Sequence, residues 1–411
     1  MRHRTLLGTL VAALAVLLAG AVPAAADTTV PDTAWMTGAP AGPGGTVALA
    51  DLEQLPGGVT GNPIVVSNNP ETFTGNGWLM LHSRSTPARG GSARPLSGTF
   101  PLYLYHQNGT ASTRYLHVLI SNPNGAPVTV TVRGAAYTNA QKPLVSDPAQ
   151  RAGTGPCYAV ADAWLRGTTT TYLNGVSVNP GKATQLTRIT MNASNIADGR
   201  FEITASAGVY VYTVVTSDGN TTTATNLSQQ NASYAPGKIA TETATTYGRE
   251  AGVYATSAWD TGQVTLPVPA AGRHLGLAVN TTVRQRADLD QTTAGLATHS
   301  DSSSRSWGNY GHRYTIRLLL QNPSTAARTV RLTFASNVTG ATDVPGNTWN
   351  GPAAVTVDGT TTVQTLYTRP TAALDPIGTY TIGPAASRSL VVDLYVPGLI
   401  TAGQQLLLQT I

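Results

Sequence analysis

The chain has 411 residues, of which 11% are charged and 41% hydrophobic, with a net formal charge of +5, 42 Gly, 26 Pro and a single Cys. The charged share is less than half of the roughly 25% usual for soluble domains, which excludes coiled coils, charged helical bundles and acidic or basic tails. Gly and Pro recur without a period, which excludes collagen, and the length predicts two domains.

The N-terminus predicts export. Arg2 and Arg4 precede the apolar run Leu6 to Val22, and Ala24-Ala25-Ala26 stands before Asp27. A charged n-region, an apolar stretch and a small-residue cleavage site make a secretory signal over residues 1–26, cleaved after Ala26. The alternative is a retained anchor, but Pro23 and small residues end the run and no stop-transfer pattern follows. No later stretch approaches the ~18 apolar residues of a membrane span. Loss of Arg2 and Arg4 lowers the formal charge from +5 to +3. The remaining cations are scattered, so no nucleic-acid groove is expected; weak attraction to an anionic cell wall is the most they suggest. Residues 27–50, with their Pro and Gly, are expected to form a flexible leader.

Short alternating strands then dominate, cut by Gly, Pro, Asn and Asp turns. Strands are predicted at Leu102 to Tyr105, Val128 to Val132, Val176 to Val178, Phe201 to Thr204 and Val209 to Val215. Further on they are predicted at Val264 to Leu266, Val330 to Phe334, Val355 to Val357 and Leu390 to Val396. Val, Thr and Tyr suit a pleated, half-buried surface. The best helix signal is Tyr158 to Leu165, where Val160, Ala163 and Trp164 share a face. Ser83 to Gly98 and Arg284 to Ser306 read as loops.

An internal repeat organises these elements. Tyr115 to Ser121 runs into Asn122-Pro123 and the Val128 strand; Tyr314 to Gln321 runs into Asn322-Pro323 and the Val330 strand. Val178-Asn179-Pro180-Gly181 and Ile382-Gly383-Pro384-Ala385 recur later in each half. Chance likeness of Val/Thr hairpins is the alternative. The fold class expected is all-β: two tandem β-sandwich domains with related topology and little helix. The first spans 51–220, a polar linker 221–247, and the second 248–411.

Catalytic signatures are sparse. The sequence has no G-x-S-x-G elbow, H-E-x-x-H, Walker loop, Rossmann glycine pattern or paired CxxC. His82, His106, His117, His274, His299 and His312 lie at no metal-ligand spacing, so no metal or cofactor is expected. Asp288-Leu-Asp290 is a calcium-like fragment that reads better as a solvated turn. Cys157 reads as a small buried hydrophobe, with an intermolecular disulfide or reactive thiol as the alternative. Trp307-Gly-Asn-Tyr310-Gly-His312-Arg313-Tyr314 is the one constellation that stands out. If extended, it puts Tyr310, His312 and Tyr314 on one face, a platform able to stack on a sugar ring. The alternative is a Gly-interrupted edge strand with its aromatics packed inside. Trp78 with His82, and Trp349 between Asn347 and Asn350, are weaker candidates of the same kind.

Several segments, kept in order over about residues 50–411, resemble a family of exported bacterial proteins known as a domain of unknown function and mostly cyanobacterial. They include Leu55-Pro56-Gly57, Asn62 to Glu71, Phe100 to His106, the Asn122-Pro123 hairpin and Trp164-Leu-Arg-Gly167. Gly248 to Val253 with Trp259, Gly308 to Gly311 and Leu390 to Leu408 continue the series. The chain departs from the pattern at His106-Gln107, where a double His is expected, and is shorter between the domains. The resemblance implies export and this full-length architecture; it carries over no activity and no catalytic residue.

The expected function is that of a secreted, non-catalytic protein of the cell envelope or extracellular matrix. Its partner would be a cell-wall or extracellular polysaccharide or another envelope protein. The alternative is a carbohydrate-binding or carbohydrate-active protein using Trp307, Tyr310, His312 and Tyr314.

Overall fold

Wherever the sequence alternates with period two, the chain is strand. In Val128–Asn139 the side chains of Val128, Val130 and Val132 are buried while Thr129, Thr131 and Arg133 face solvent. The computed structural model describes residues 26–38, 47–82, 88–89, 93–139, 153–229, 234–336, 338–339, 348–368, 374–398, 400 and 403–411. These residues are all-β apart from two α-helices and three short 3-10 turns. Helix α1, Pro156–Arg166, covers the predicted helical segment and opens on Pro156, which suits the first helical turn. Every predicted strand overlaps an observed one, Leu390 to Val396 running one residue past Ser387–Tyr395, and Phe201 to Thr204 and Val209 to Val215 merge into a single 21-residue strand, Ile196–Thr216.

That long strand is the axis of the first half. Up to Ala205 it pairs with Val128–Asn139 and Leu96–Asn108; its register then breaks before Val209. Beyond the break it pairs with Arg114–Ser121 and Gly77–Leu81. Phe201 and Ile203 from one stretch and Val211 and Val215 from the other meet in one apolar core with Leu102, Val118 and Val130. In the second half, a seven-stranded and a five-stranded sheet enclose a second core, including Leu266, Leu277, Ile316, Leu332, Leu390 and Leu408. Burying one such side chain stabilises by about 1.5–3 kcal/mol.

The two halves share pairing registers. Ser121 lies opposite Ala183, and Gln321 opposite Ser387. Val128 lies opposite Val178, and Arg328 opposite Ile382. Val130 lies opposite Ala205, and Val330 opposite Thr410. Each hairpin turn is fastened by its asparagine. Asn122 Nδ2 donates to the Ala126 and Val178 carbonyls, both at 2.8 Å, and Asn322 Nδ2 donates to those of Ala326 at 2.7 Å and Ile382 at 3.0 Å.

Two segments behave differently from expectation. The leader over 27–50 is packed onto the second half wherever it is described. Thr28–Thr29 extends the seven-stranded sheet beside Val264 and Thr265, and Met36–Thr37 extends the five-stranded one. Trp35 is 1% exposed, and Arg273 donates to its carbonyl. Burial of an indole outweighs the freedom suggested by Pro and Gly. The linker over 221–247 begins with helix α2, Thr221–Gln229. Asn220 Oδ1 caps it by accepting the Thr222 N–H at 2.8 Å, and Ala224 packs with Leu119, Tyr210, Tyr212 and Val214. The 284–306 stretch also carries a strand, Thr293–His299, which pairs with Ala251–Tyr254. The chain crosses between halves: Gly58–Thr60 pairs with Ala258–Asp260, whereas Ala251–Tyr254 pairs with Ile64–Ser67.

Candidate functional site

The aromatic row does not form a platform. Residues 307–312 are a turn, with Asn309 at φ 50° and Gly311 at φ 76°, so the alternation needed for one face is lost. Gly311 also abuts Tyr103, whose ring would lie 2.8 Å from an added Cβ. The four side chains therefore part. Trp307 is 7% exposed, donates its indole N–H to Glu242 Oε1 at 3.0 Å and lies under the Arg284 guanidinium at 4.6 Å. Half-buried Tyr310 donates to the Ile400 carbonyl at 3.1 Å. His312, 3% exposed, donates Nε2–H to the Thr256 carbonyl at 2.9 Å. Tyr314, 1% exposed, sits in the second core. Buried rings offer no face to a sugar.

The weaker candidates are likewise engaged. Trp78 packs against the Tyr234 ring, tilted at 40° with centroids 3.5 Å apart, and the His82 imidazole donates Nε2–H to the Arg94 carbonyl. Trp349 is buried against Phe334; Asn350 binds the main chain at Gly153 and Thr154, and Asn347 lies outside the described residues. Asp288 pairs with Arg286 at 2.7 Å and Asp290 with Arg305 at 2.5 Å, which makes them ion-pair partners. Among the described residues no group of three or more His, Cys, Asp and Glu is placed to hold a metal ion.

What the fold does bring together is a buried polar cluster between the halves. Tyr103 comes from Leu96–Asn108, Cys157 from α1, Asp198 from the long strand and Tyr310 from the second half. Tyr103 donates its hydroxyl to Asp198 Oδ2 at 2.7 Å, and its ring stacks on Tyr310 with centroids 6.2 Å apart. Gly398 closes the cluster: an added Cβ would lie 2.7 Å from both Asp198 Oδ2 and the Tyr103 hydroxyl and 2.9 Å from Cys157 Sγ. Burial pushes the Asp198 carboxyl up to about 7, against hydrogen bonds from Tyr103 and Cys157. Burial, and then the Asp198 charge, raise the Cys157 thiol well above its ordinary value, so the thiol is held protonated and unreactive. Glu250 is the counterpart on the Gly248 to Val253 segment. It accepts from Ser306 Oγ at 3.1 Å and Gly308 N–H at 3.2 Å, and burial lifts its carboxyl to about 7.

A cationic clamp lies beside this cluster. The Arg200 guanidinium sits 4.4 Å from the Trp164 ring centroid and 4.5 Å from that of Tyr395, and its Nε donates to the Gly311 carbonyl at 2.9 Å. Trp164 belongs to α1 and Tyr395 to the second half, so one cation joins both.

Among the described residues the histidines are all buried. His106 shows the pattern: Nδ1–H can only donate to the Pro70 carbonyl, at 2.8 Å, so Nε2 accepts from Ser67 Oγ, also at 2.8 Å. Ser67 in turn meets Thr213 Oγ1 at 2.6 Å. This resembles a nucleophile–base pair in its distances, but Ser67, His106 and Thr213 are each 0% exposed, so no substrate reaches them. Burial holds His82, His106, His299 and His312 down to about 4, so each is neutral. Sequence reasoning missed Asp198 and Arg200 because their partners lie far along the chain; no local pattern announces them.

No helix among the described residues is long and apolar enough to cross a membrane. Among solved structures, an anti-sigma factor domain-containing protein is similar at 7% identity and TM-score 0.18, over 75% of this chain and 78% of its own. Lac15 from a marine microbial metagenome matches at 12% identity and TM-score 0.14, over 85% of this chain but 63% of its own. The CBM22-1-CBM22-2 tandem domain of Paenibacillus barcinonensis Xyn10C matches at 10% identity and TM-score 0.15, over 82% and 91%. At these TM-scores none of the three carries an argument. No curated protein matches the chain. A family model described as "Protein of unknown function (DUF3370)" matches residues 51–410, nearly the whole length after the leader, and the chain therefore belongs to that family.

Proposed function

We propose that this protein is an exported, non-catalytic component of the cell envelope or extracellular matrix, built from two related β-sandwich units and acting through its surface loops and strand edges. The observation that carries the reading is the fate of the reactive side chains. All six histidines from His82 to His312 are buried, the single thiol is buried, and the two carboxyls raised to about 7 are closed inside the molecule. An active site needs such groups in a reachable cleft. The matched registers of the two hairpins support related units. The ladder that begins at Thr28, with Asp27 Oδ1 accepting the Gln263 N–H, supports a mature chain starting near Asp27.

The test follows the chain and its partner together. The full-length chain, expressed in a bacterial host, is fractionated and its N-terminus sequenced; Asp27 as first residue, in the wall or medium fraction, is the expected result. Retention of residues 1–26 on cytosolic protein contradicts export. Purified protein is then sedimented with peptidoglycan and with neutral and acidic glycans. Hydrolysis of any of these, with turnover, overturns the non-catalytic assignment.

A further inference from the structure

We propose that Asn174 is a site of spontaneous deamidation, at which the Gly175 main-chain nitrogen closes on the Asn174 side chain and water reopens the ring to aspartate or isoaspartate. Asn-Gly pairs occur at Asn76, Asn108, Asn124, Asn174 and Asn350. Glycine after asparagine leaves the attacking nitrogen unhindered, because no Cβ stands beside it. The structure separates these pairs. Asn76 Nδ2 donates to Ser217 Oγ at 3.1 Å. Asn108 Nδ2 donates to the carbonyls of Ser112, Met191 and Asn192. Asn124 Nδ2 donates to Asn122 Oδ1 at 2.8 Å and to the Gly208 carbonyl at 2.7 Å. Asn350 is held at both ends, by the Gly153 N–H and the Thr154 carbonyl. The Asn174 side chain is exposed and meets no partner among the described residues.

The main chain at Asn174 is free to move as well. Among the described residues its strand, Thr170–Val178, pairs only with Val128–Asn139 and so forms a sheet edge. Val130 lies opposite Val176 and Val132 opposite Leu173, so Asn174 and Gly175 together face Thr131. That is a bulge, whose extra residue drops out of the ladder. Gly175 sits at φ 62°, with nothing within 4 Å of where a Cβ would stand. Its N–H donates to Thr131 Oγ1 at 3.1 Å, an exposed hydroxyl that water can replace. The step balances with water as the only co-reactant. The Gly175 nitrogen gives up its proton and bonds to Asn174 Cγ; the Cγ–Nδ2 bond breaks and ammonia leaves with that proton. Water then adds at either carbonyl of the cyclic imide. Both products put a negative charge on a strand that has no charged residue. Charge on an exposed edge opposes its pairing with another chain, so the conversion guards this edge as the protein ages.

The experiment holds the purified protein at mildly alkaline pH and follows its proteolytic peptides by mass spectrometry, with fragmentation that tells isoaspartate from aspartate. A parallel sample in urea gives the rates of the unfolded chain. Breaking one net hydrogen bond before reaction slows it by about fivefold. Asn174 is therefore expected to convert about fivefold or more ahead of the other Asn-Gly pairs in the folded protein, a lead that vanishes in urea. Thr131→Val, which frees the Gly175 N–H, is expected to quicken Asn174 by about fivefold. Asn174 left intact over the time in which the unfolded chain converts overturns the proposal. So does equal conversion of all the pairs in the folded protein, or an unchanged rate in folded Thr131→Val. Should that variant fail to fold, the order of conversion in the unaltered protein decides.

Discussion

Asparagine does at single positions what disulfides do in small disulfide-rich proteins: it fixes turns. Asn108, Asn122 and Asn322 are each buried at a strand end, and each repeats the same bonds. The side-chain oxygen accepts the N–H two residues on, from Thr110, Asn124 or Ser324. The amide nitrogen donates to the carbonyl four residues on, in Ser112, Ala126 or Ala326, and to the main chain of a neighbouring strand end. Replacing Asn322 with Ala orphans the part-buried Ser324 N–H and the carbonyls of Ala326, Ile382 and Gly383. The expected loss is about 3 kcal/mol, seen as a lower urea midpoint with unchanged slope. A change below about 0.5 kcal/mol contradicts the assignment, being the scale of an ordinary surface substitution. Asn122 and Asn322 were legible in the sequence because Pro follows each. Asn108, in Asn-Gly-Thr, was not, because that tripeptide marks turns of many kinds.

Elements of two or three residues escaped the sequence, and among longer ones a clean alternation decided which were legible; Thr293–His299, inside a stretch read as a loop, was not. Val128 to Val132 and Val330 to Phe334 declare themselves, since five alternating residues suffice to set a period. Thr28–Thr29 and Met36–Thr37 are too short to have one, and their place is decided by the sheets they join. The leader is nonetheless structural, because Trp35 fills the second core. Trp35→Ala is expected to destabilise by about 3–5 kcal/mol, measured by chemical denaturation. A truly flexible leader would leave the midpoint unmoved. Helix α2 was hidden for another reason. Its Thr-rich sequence is a poor helix former, and the cap from Asn220 together with packing of Ala224 overrides propensity. The predicted aromatic platform failed at the same scale: left-handed Asn309 and Gly311 convert a possible strand into a turn.

Across the whole molecule, the ionisable groups that could do chemistry are spent on cohesion, and this has a consequence in pH. Four histidines titrate in the folded state near 4 instead of their usual 6.5, so they favour folding above 6.5 and lose that contribution as pH falls toward 4. Asp198 and Glu250 titrate near 7 instead of about 4, so they favour folding at low pH and lose that contribution as pH rises from 4 to 7. The histidines outnumber the carboxyls by four to two. Between pH 5 and 6 the unfolded chain therefore binds about two more protons than the folded one, and stability climbs with pH by about 3 kcal/mol per unit. Above pH 7 the residual slopes of the two sets are small and opposed. None of this was legible in the sequence, since Tyr103, Cys157, Asp198, Tyr310 and Gly398 meet only once two halves have folded and docked. Calorimetric melting of residues 27–411 from pH 4 to 8 tests the claim most directly. The account predicts one cooperative transition that joins both halves, with a midpoint level above pH 7 and falling steeply below 6.5. Two separate transitions, or a midpoint indifferent to acid, would contradict it.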